Sequence, residues 1–386
     1  MGGAVKRRWL EPAAVFAVVL AVYLAATPQT NQAYRHFVYM TRGFLQGRVD
    51  LPNVPAYYHD VIRLDGRTYA PFPPVPALLL LPAVAVSGEA TDQGRIGQIV
   101  SALAVAIFVA GLRRMGAGRR TRLFCGAALA FGSVLWPAAA IGTTWFFAQE
   151  VVVLATAILV WELAGGARPV ILSAAAIGGW LTRVTILPAV PVLALLVWRR
   201  HRRPGAVGTF LALNAAGLLV YLGYNALRFG DPLQTGYGLL SMGGPNAEAA
   251  ARWGFFNLHY VPEQLYAMFF RAPELIAAPP YLRPSPWGMA LLFTSPLVLR
   301  LFFPAERRGW WTWGALIVAT ALPLFFYFSV GWVQFGYRYS LDWWVFVLIL
   351  LAAALGEHPR PVDYAFLALS VAMNALGVYW VRVLGW

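Results

Sequence analysis

The chain has 386 residues, 60% of them hydrophobic and 12% charged, with a mean hydropathy of +0.62. Soluble domains carry about 25% charged residues, so this composition excludes an ordinary soluble protein and marks an integral membrane protein. The formal charge of +14 would suit nucleic acid, but its placement argues against that partner. The basic residues cluster beside apolar runs, at Lys6-Arg7-Arg8, at Arg113-Arg114 with Arg119, Arg120 and Arg122, at Arg199-Arg200 with Arg202-Arg203, and at Arg307-Arg308. That is the positive-inside pattern of a cytoplasmic membrane face.

Runs of about 17–25 apolar residues recur from end to end, each long enough to cross a hydrocarbon core of about 30 Å. They lack the ten-residue alternation of an outer-membrane barrel. The expected fold is all-α, a single polytopic domain over 1–386 with about eleven transmembrane helices, its N-terminus cytoplasmic and its C-terminus outside. The first span, about 12–28, has no small-residue cleavage site after it and is expected to remain as a signal anchor. Residues 29–94 then form a first outer loop. Within it, 74–86 is expected to lie on the outer face as an interfacial or re-entrant helix, because a full crossing would carry the arginines of 113–122 to the wrong side.

Spans are expected next at 96–112, 121–141 and 147–164. The stretch 168–198 has arginines at both ends, so it must run out and back as two short helices bent near Thr182-Arg183. A span at 206–227 leads to a second outer loop, 228–284, with a surface helix at 260–277. Four more spans fall near 285–303, 309–330, 341–356 and 362–381. Cys125 is the single cysteine and lies in a span, which rules out disulfides and cysteine metal sites within the chain. There is no internal repeat.

Chemically varied residues collect on the expected outer side. The first loop supplies Asn31, Arg35, His36, Asp50, His59, Asp60 and Tyr69; the second opens with Tyr224-Asn225-Ala226-Leu227-Arg228. A third patch, Trp332 to Asp342, holds Tyr337, Arg338 and Tyr339. Glu150 lies a short way into a span and Arg183 at the bend. Each has a plainer alternative. Asp60 suits a general base, or a loop carboxylate paired with Arg63 or Arg67. Asp65-Gly66 is a turn dipeptide. Glu150 is costly inside a membrane and by default functional, or it pairs with Arg183. Arg338 suits phosphate oxygens, or anchors at the interface between its tyrosines. His36 and His59 are acid/base groups or metal ligands. No metal site is assigned, and a requirement for a divalent cation (Mg or Mn) stays open.

These residues carry a resemblance. The run Gly47-Arg48-Val49-Asp50-Leu51 through His59-Asp60, Asp65-Gly66-Arg67-Thr68-Tyr69 and Pro71-Phe72-Pro73-Pro74, the Leu181-Thr182-Arg183 bend, Leu227-Arg228-Phe229-Gly230-Asp231-Pro232 and Gly336-Tyr337-Arg338-Tyr339 follow one another in the order seen in GT-C membrane glycosyltransferases. Within that superfamily the chain resembles bacterial relatives of the protein O-mannosyltransferases and of the aminoarabinose lipid A transferases. The resemblance implies a GT-C-like fold, a polyprenyl-phosphate sugar donor, an outward-facing site in a bacterial or archaeal cytoplasmic membrane, and a catalytic aspartate in the first outer loop. The chain departs from the protein O-mannosyltransferases where they place an Asp-Glu pair, having Asn31-Gln32 there. The base role then falls to Asp60 or Asp50, with Glu150 a further carboxylate candidate.

On this reading Arg338, Arg228 and Arg183, with Tyr337 and Tyr339, hold the donor phosphate, an electrostatic task. Asn31, Arg35, His36, His59 and Tyr69 meet the sugar or the acceptor, which is a lipid, a glycan or a protein. The rival class is a multi-pass transporter or lipid flippase, which would show repeated halves and ionisable residues at mid-membrane. A non-catalytic membrane subunit is the third reading.

Overall fold

A computed structural model describes residues 2–240, 244–307 and 309–383 of the chain. Arg308 and the side chains of Lys6, Arg7 and Arg8 lie outside the described residues. Helix α1 is Gly2–Ala26. The first loop is more structured than expected, with α2 (His36–Leu45), a hairpin of β1 (Ile62–Leu64) and β2 (Arg67–Tyr69), and two short helices, α3 (Val75–Leu79) and α4 (Leu81–Ser87). The hairpin turns at Asp65-Gly66, both at positive φ (50° and 71°), so the dipeptide makes the tight turn expected of it.

Helices α5 (Gln93–Arg114), α6 (Arg119–Ala130), α7 (Leu135–Ile141), α8 (Thr144–Leu163), α9 (Pro169–Trp180), α10 (Ala189–His201) and α11 (Pro204–Phe229) follow. Asp92 caps α5 by accepting from the Arg95 N–H at 2.9 Å. Proline in the first turn opens α9 and α11, where its missing donor costs nothing. Gly230, at φ 75°, closes α11. The second loop contains α12 (Gly244–Trp253), α13 (Val261–Phe269) and a small hairpin of β3 (Glu274–Leu275) and β4 (Leu282–Arg283). The surface helix expected over 260–277 therefore stops eight residues early and gives way to strand.

The segment 285–303, expected as a regular span, is broken into β5 (Trp287–Met289), α14 (Leu291–Thr294) and a 3₁₀ stretch Pro296–Phe302. Pro284, Pro286 and Pro296 remove the backbone donors that a continuous helix needs. Helix α15 (Trp310–Phe325), β6 (Gln334–Gly336), α16 (Trp344–Leu355) and α17 (Pro361–Arg382) complete the chain. β6 pairs in parallel with β5, Trp287 opposite Gln334 and Met289 opposite Gly336.

Five helices among the described residues are long and apolar enough to cross a membrane, namely α1, α5, α8, α11 and α17, and α6 with α7 make a sixth bent by 41°. Helices α9, α15 and α16 are apolar but shorter. The chain is thus a mostly helical membrane protein. α5 and α8 pack together at the centre, buried through most of their length, whereas α1, α11 and α17 expose most of their apolar surface, the arrangement expected where lipid is the outer solvent.

The bundle has two chemically distinct ends. At one, Arg122 pairs with Glu11 at 2.5 Å, Arg114 lies 3.5 Å over the Trp161 ring, and Thr121 donates to the Gly356 carbonyl at 2.6 Å. These contacts gather the N-terminal half of α1 and the first turn of α6 with the last turns of α5 and α8 and the residue that ends α16. The first loop, the start of α8, the bend after α9, the end of α11 and the turn around Arg338 meet at the other end.

Candidate functional site

The first loop is fastened to the start of α8. Thr144 donates its N–H (3.0 Å) and hydroxyl (2.9 Å) to the Tyr34 carbonyl, and accepts the His36 N–H at 2.9 Å. The His36 ring is fully buried between Tyr58, Trp145 and Phe72. Its Nε2 lies 2.8 Å from the His59 carbonyl, which can only accept, so the ring proton sits on Nε2, while Nδ1 lies 3.0 Å from Thr144 Oγ1 and competes with the Tyr34 carbonyl for the one hydroxyl proton. Burial pushes the His36 imidazole down to about 3. The ring is a neutral strut here and not an acid/base group.

That strut has a pH signature. Above pH 7 His36 is neutral both folded and unfolded and contributes no pH dependence. Below its ordinary value of 6.5 only the unfolded chain takes up the proton, so stability falls as the pH drops. Acidifying from pH 7 to 5 is expected to cost about 2 kcal/mol at this residue. Thermal unfolding in detergent at the two pH values checks this, and His36→Gln should flatten the difference.

Next along the loop, the exposed His59 ring stacks on Trp145, centroids 5.1 Å apart and planes 14° apart. The Trp145 Nε1–H donates to Asp60 Oδ2 at 2.8 Å. Asp60 sits at φ 54°, in the left-handed region that aspartate tolerates better than most residues. Arg63 turns instead to the Ala56 carbonyl at 3.4 Å, so the loop pairing weighed for Asp60 is replaced by an indole N–H.

Facing this loop is a second wall. Arg183, at the break between α9 and α10, places Nε 2.7 and 3.0 Å from the two oxygens of Asp342, which also accepts from Thr185 at 2.7 Å. The pairing of Arg183 with Glu150 is therefore not made. Arg338 is buried, its guanidinium 4.9 Å over the Phe146 ring and 5.6 Å from Tyr339, with Nε lacking a hydrogen-bond partner. Arg183 lies 5.2 Å over the Tyr339 ring. Phe146 under Arg338 directly follows Trp145, the donor to Asp60, so the start of α8 joins the two walls. Burial raises the Tyr237 hydroxyl, which stays a proton donor.

The remaining residues singled out from sequence go elsewhere. Arg228 donates to the Ala70 (2.5 Å) and Phe72 (3.4 Å) carbonyls and to Asn225, and its plane lies 4.0 Å from Tyr224. It staples the first loop to α11. Tyr337 donates its hydroxyl to Gln264 at 2.8 Å. Asp50 is buried against Arg48, whose guanidinium holds its carboxyl below the usual range. Arg35 spans the Gln32, Glu89 and Thr91 carbonyls, and Tyr69 packs edge-on to Phe229. Asn31 accepts from the Ala33 N–H at 2.8 Å and lines a separate cavity of about 460 Å³ beside Arg382. Glu150 is buried in α8 against Gly97 of α5, and neither of its carboxyl oxygens has a hydrogen-bond partner.

Trp145, Asp342, Thr185 and Tyr237 are the site residues that sequence reasoning did not single out. Asp342 was readable only as one more residue of the Arg338 patch, and Trp145 is one of 16 tryptophans. Among the described residues no group of three or more His, Cys, Asp or Glu converges as a metal site. Comparison with family models, with curated proteins and with solved structures finds no match to this chain.

Proposed function

We propose that the chain is a GT-C-like glycosyltransferase that moves a sugar from a polyprenyl-phosphate carrier to an acceptor on the outer face of a bacterial or archaeal cytoplasmic membrane. The observation that carries the reading is Arg338, a buried guanidinium whose Nε has no hydrogen-bond partner among the described residues, lying over Phe146 while the adjoining Trp145 holds Asp60. Such a cation suits a phosphate leaving group, while the carboxylate suits the proton of an acceptor hydroxyl. Arg183 and Tyr237 supply further positive and donor character, with Asp342 holding Arg183 in place. Arg228 acts at one remove, by fastening the loop that carries Asp60.

Depth supports a lipid-borne donor. Helices α9 and α16 have 12 residues each, about 18 Å, so Arg183 and Asp342 at their ends stand below the top of a core of about 30 Å. A phosphate anchored in the outer leaflet can approach at that level. On this reading the basic end is cytoplasmic, and the chain makes eleven passages, the irregular 285–303 stretch included. Membrane lipid surrounds α1, α11 and α17, and the acceptor is a lipid, glycan or protein. A transporter or flippase is the second reading, favoured by Glu150, an ionisable residue inside a span.

Native mass spectrometry of the gently purified protein tests the proposal. Wild type should retain a polyprenyl phosphate or its sugar, and Arg338→Ala should weaken retention about tenfold or more, the value of one or two charge-assisted hydrogen bonds. Retention of a small solute, with no polyprenyl lipid captured even when supplied, would replace the transferase with the transporter.

A further inference from the structure

Behind the Asp60 site, the central pair α5 and α8 carries a polar seam that sugar transfer does not use. Glu150 is fully buried, and neither carboxyl oxygen has a hydrogen-bond partner. It occupies a slot made by Gly97, where any Cβ would collide with Oε2. Gln93 and Ser101 stand one turn to either side of Gly97 on the same face of α5, at i−4 and i+4. Gln93 uses its Nε2 on the Gly142 carbonyl at 3.2 Å, leaving Oε1 unpartnered, and Ser101 Oγ is unpartnered as well. Gln149, next to Glu150, adds a buried amide without a partner.

No cation among the described residues serves this carboxyl. Arg95, also on α5, is turned to the Thr27 carbonyl at 2.9 Å and to Gln98. Arg338 lies over Phe146, and Arg183 is engaged with Asp342. The Tyr23 hydroxyl of α1 is turned to the Ala130 carbonyl, to which it donates at 2.7 Å. Helix α7 brings no titratable side chain. A bare carboxylate in such a place is too costly to persist, so a buried charge is neutralised or paired. The unpartnered atoms of Glu150, Gln93 and Ser101 are all oxygens, the carboxyl pair among them anionic, which is the chemistry of a hard monovalent cation.

We infer that Glu150, with Gln93 or Ser101 on either side of the Gly97 slot, forms a buried site for one monovalent cation, a proton or Na⁺. This site is independent of the transferase reading, since it rests on neither Asp60 nor Arg338.

Infrared difference spectroscopy of wild type against Glu150→Gln, in membranes at neutral pH, reads the state of this one carboxyl. The spectra are taken in choline chloride and again in sodium chloride. A carbonyl band of an undissociated acid in both salts assigns the proton. An acid band in choline that converts to a carboxylate band in sodium assigns Na⁺. A carboxylate band of equal intensity in both salts overturns the inference, because the charge is then compensated from within the protein. Should Glu150→Gln not survive purification, Glu150→Asp displaces the band instead of removing it and gives the same assignment.

Discussion

Replacing Asp60 by asparagine is expected to lower sugar transfer by about 10²–10⁴-fold, the usual contribution of a positioned general base, while retention of polyprenyl phosphate stays at the wild-type level. The substitution isolates the proton-accepting role. Asparagine tolerates the left-handed backbone at φ 54°, and its amide oxygen can still accept from Trp145. The loop therefore keeps its place and only the base is lost. Transfer of labelled sugar from a polyprenyl-phosphate donor in reconstituted membranes, measured beside donor retention, checks both halves. Undiminished transfer would remove Asp60 from the mechanism. Trp145→Phe keeps the ring against His59 but deletes the N–H that steadies Asp60. A smaller loss, confined to turnover, is expected there.

The second large effect concerns stability. Asp342 is fully buried and binds both Arg183 and Thr185. Asp342→Ala leaves the Arg183 guanidinium buried without its counter-charge, and breaking such a pair costs about 3–5 kcal/mol. A marked fall in the thermal midpoint in detergent is the expected reading. Replacing both partners by apolar residues, Arg183→Met with Asp342→Leu, should restore most of that loss, because a buried pair adds little over a packed apolar substitute. The double variant also separates architecture from chemistry. If Arg183 helps to hold the donor phosphate, the recovered protein retains less polyprenyl phosphate than wild type. Full retention in the recovered protein would confine Arg183 to a structural part.

The contrast between His36 and Asp60 shows how far the sequence could be read. Both stood in one polar loop, and both were candidates on residue type alone. Burial turned His36 into a neutral strut, whereas Asp60 was left half-exposed with an indole on one oxygen. Arg228 and Arg338 divide in the same way. Each is an arginine beside aromatics at the expected outer end with an unpartnered Nε, yet Arg228 spends both terminal nitrogens on the Ala70 and Phe72 carbonyls and on Asn225, while Arg338 lies over Phe146. Hydrogen-bond partners far along the chain made the difference, and no local pattern encodes them.

What the sequence by itself determined was the membrane class, the helical architecture, the bend at Thr182-Arg183, the Asp65-Gly66 turn and the basic end. These follow from local sums of hydropathy, from charge placement and from backbone preferences of single residues. Only the tertiary structure decided which polar side chains meet. Asp60 and Trp145 are 85 positions apart, Arg183 and Asp342 159, and Arg228 and Ala70 158. Bringing such pairs together depends on how whole helices stack and where prolines interrupt them. Burial then sets each group's charge and its free donors, and burial is a property of the packed bundle.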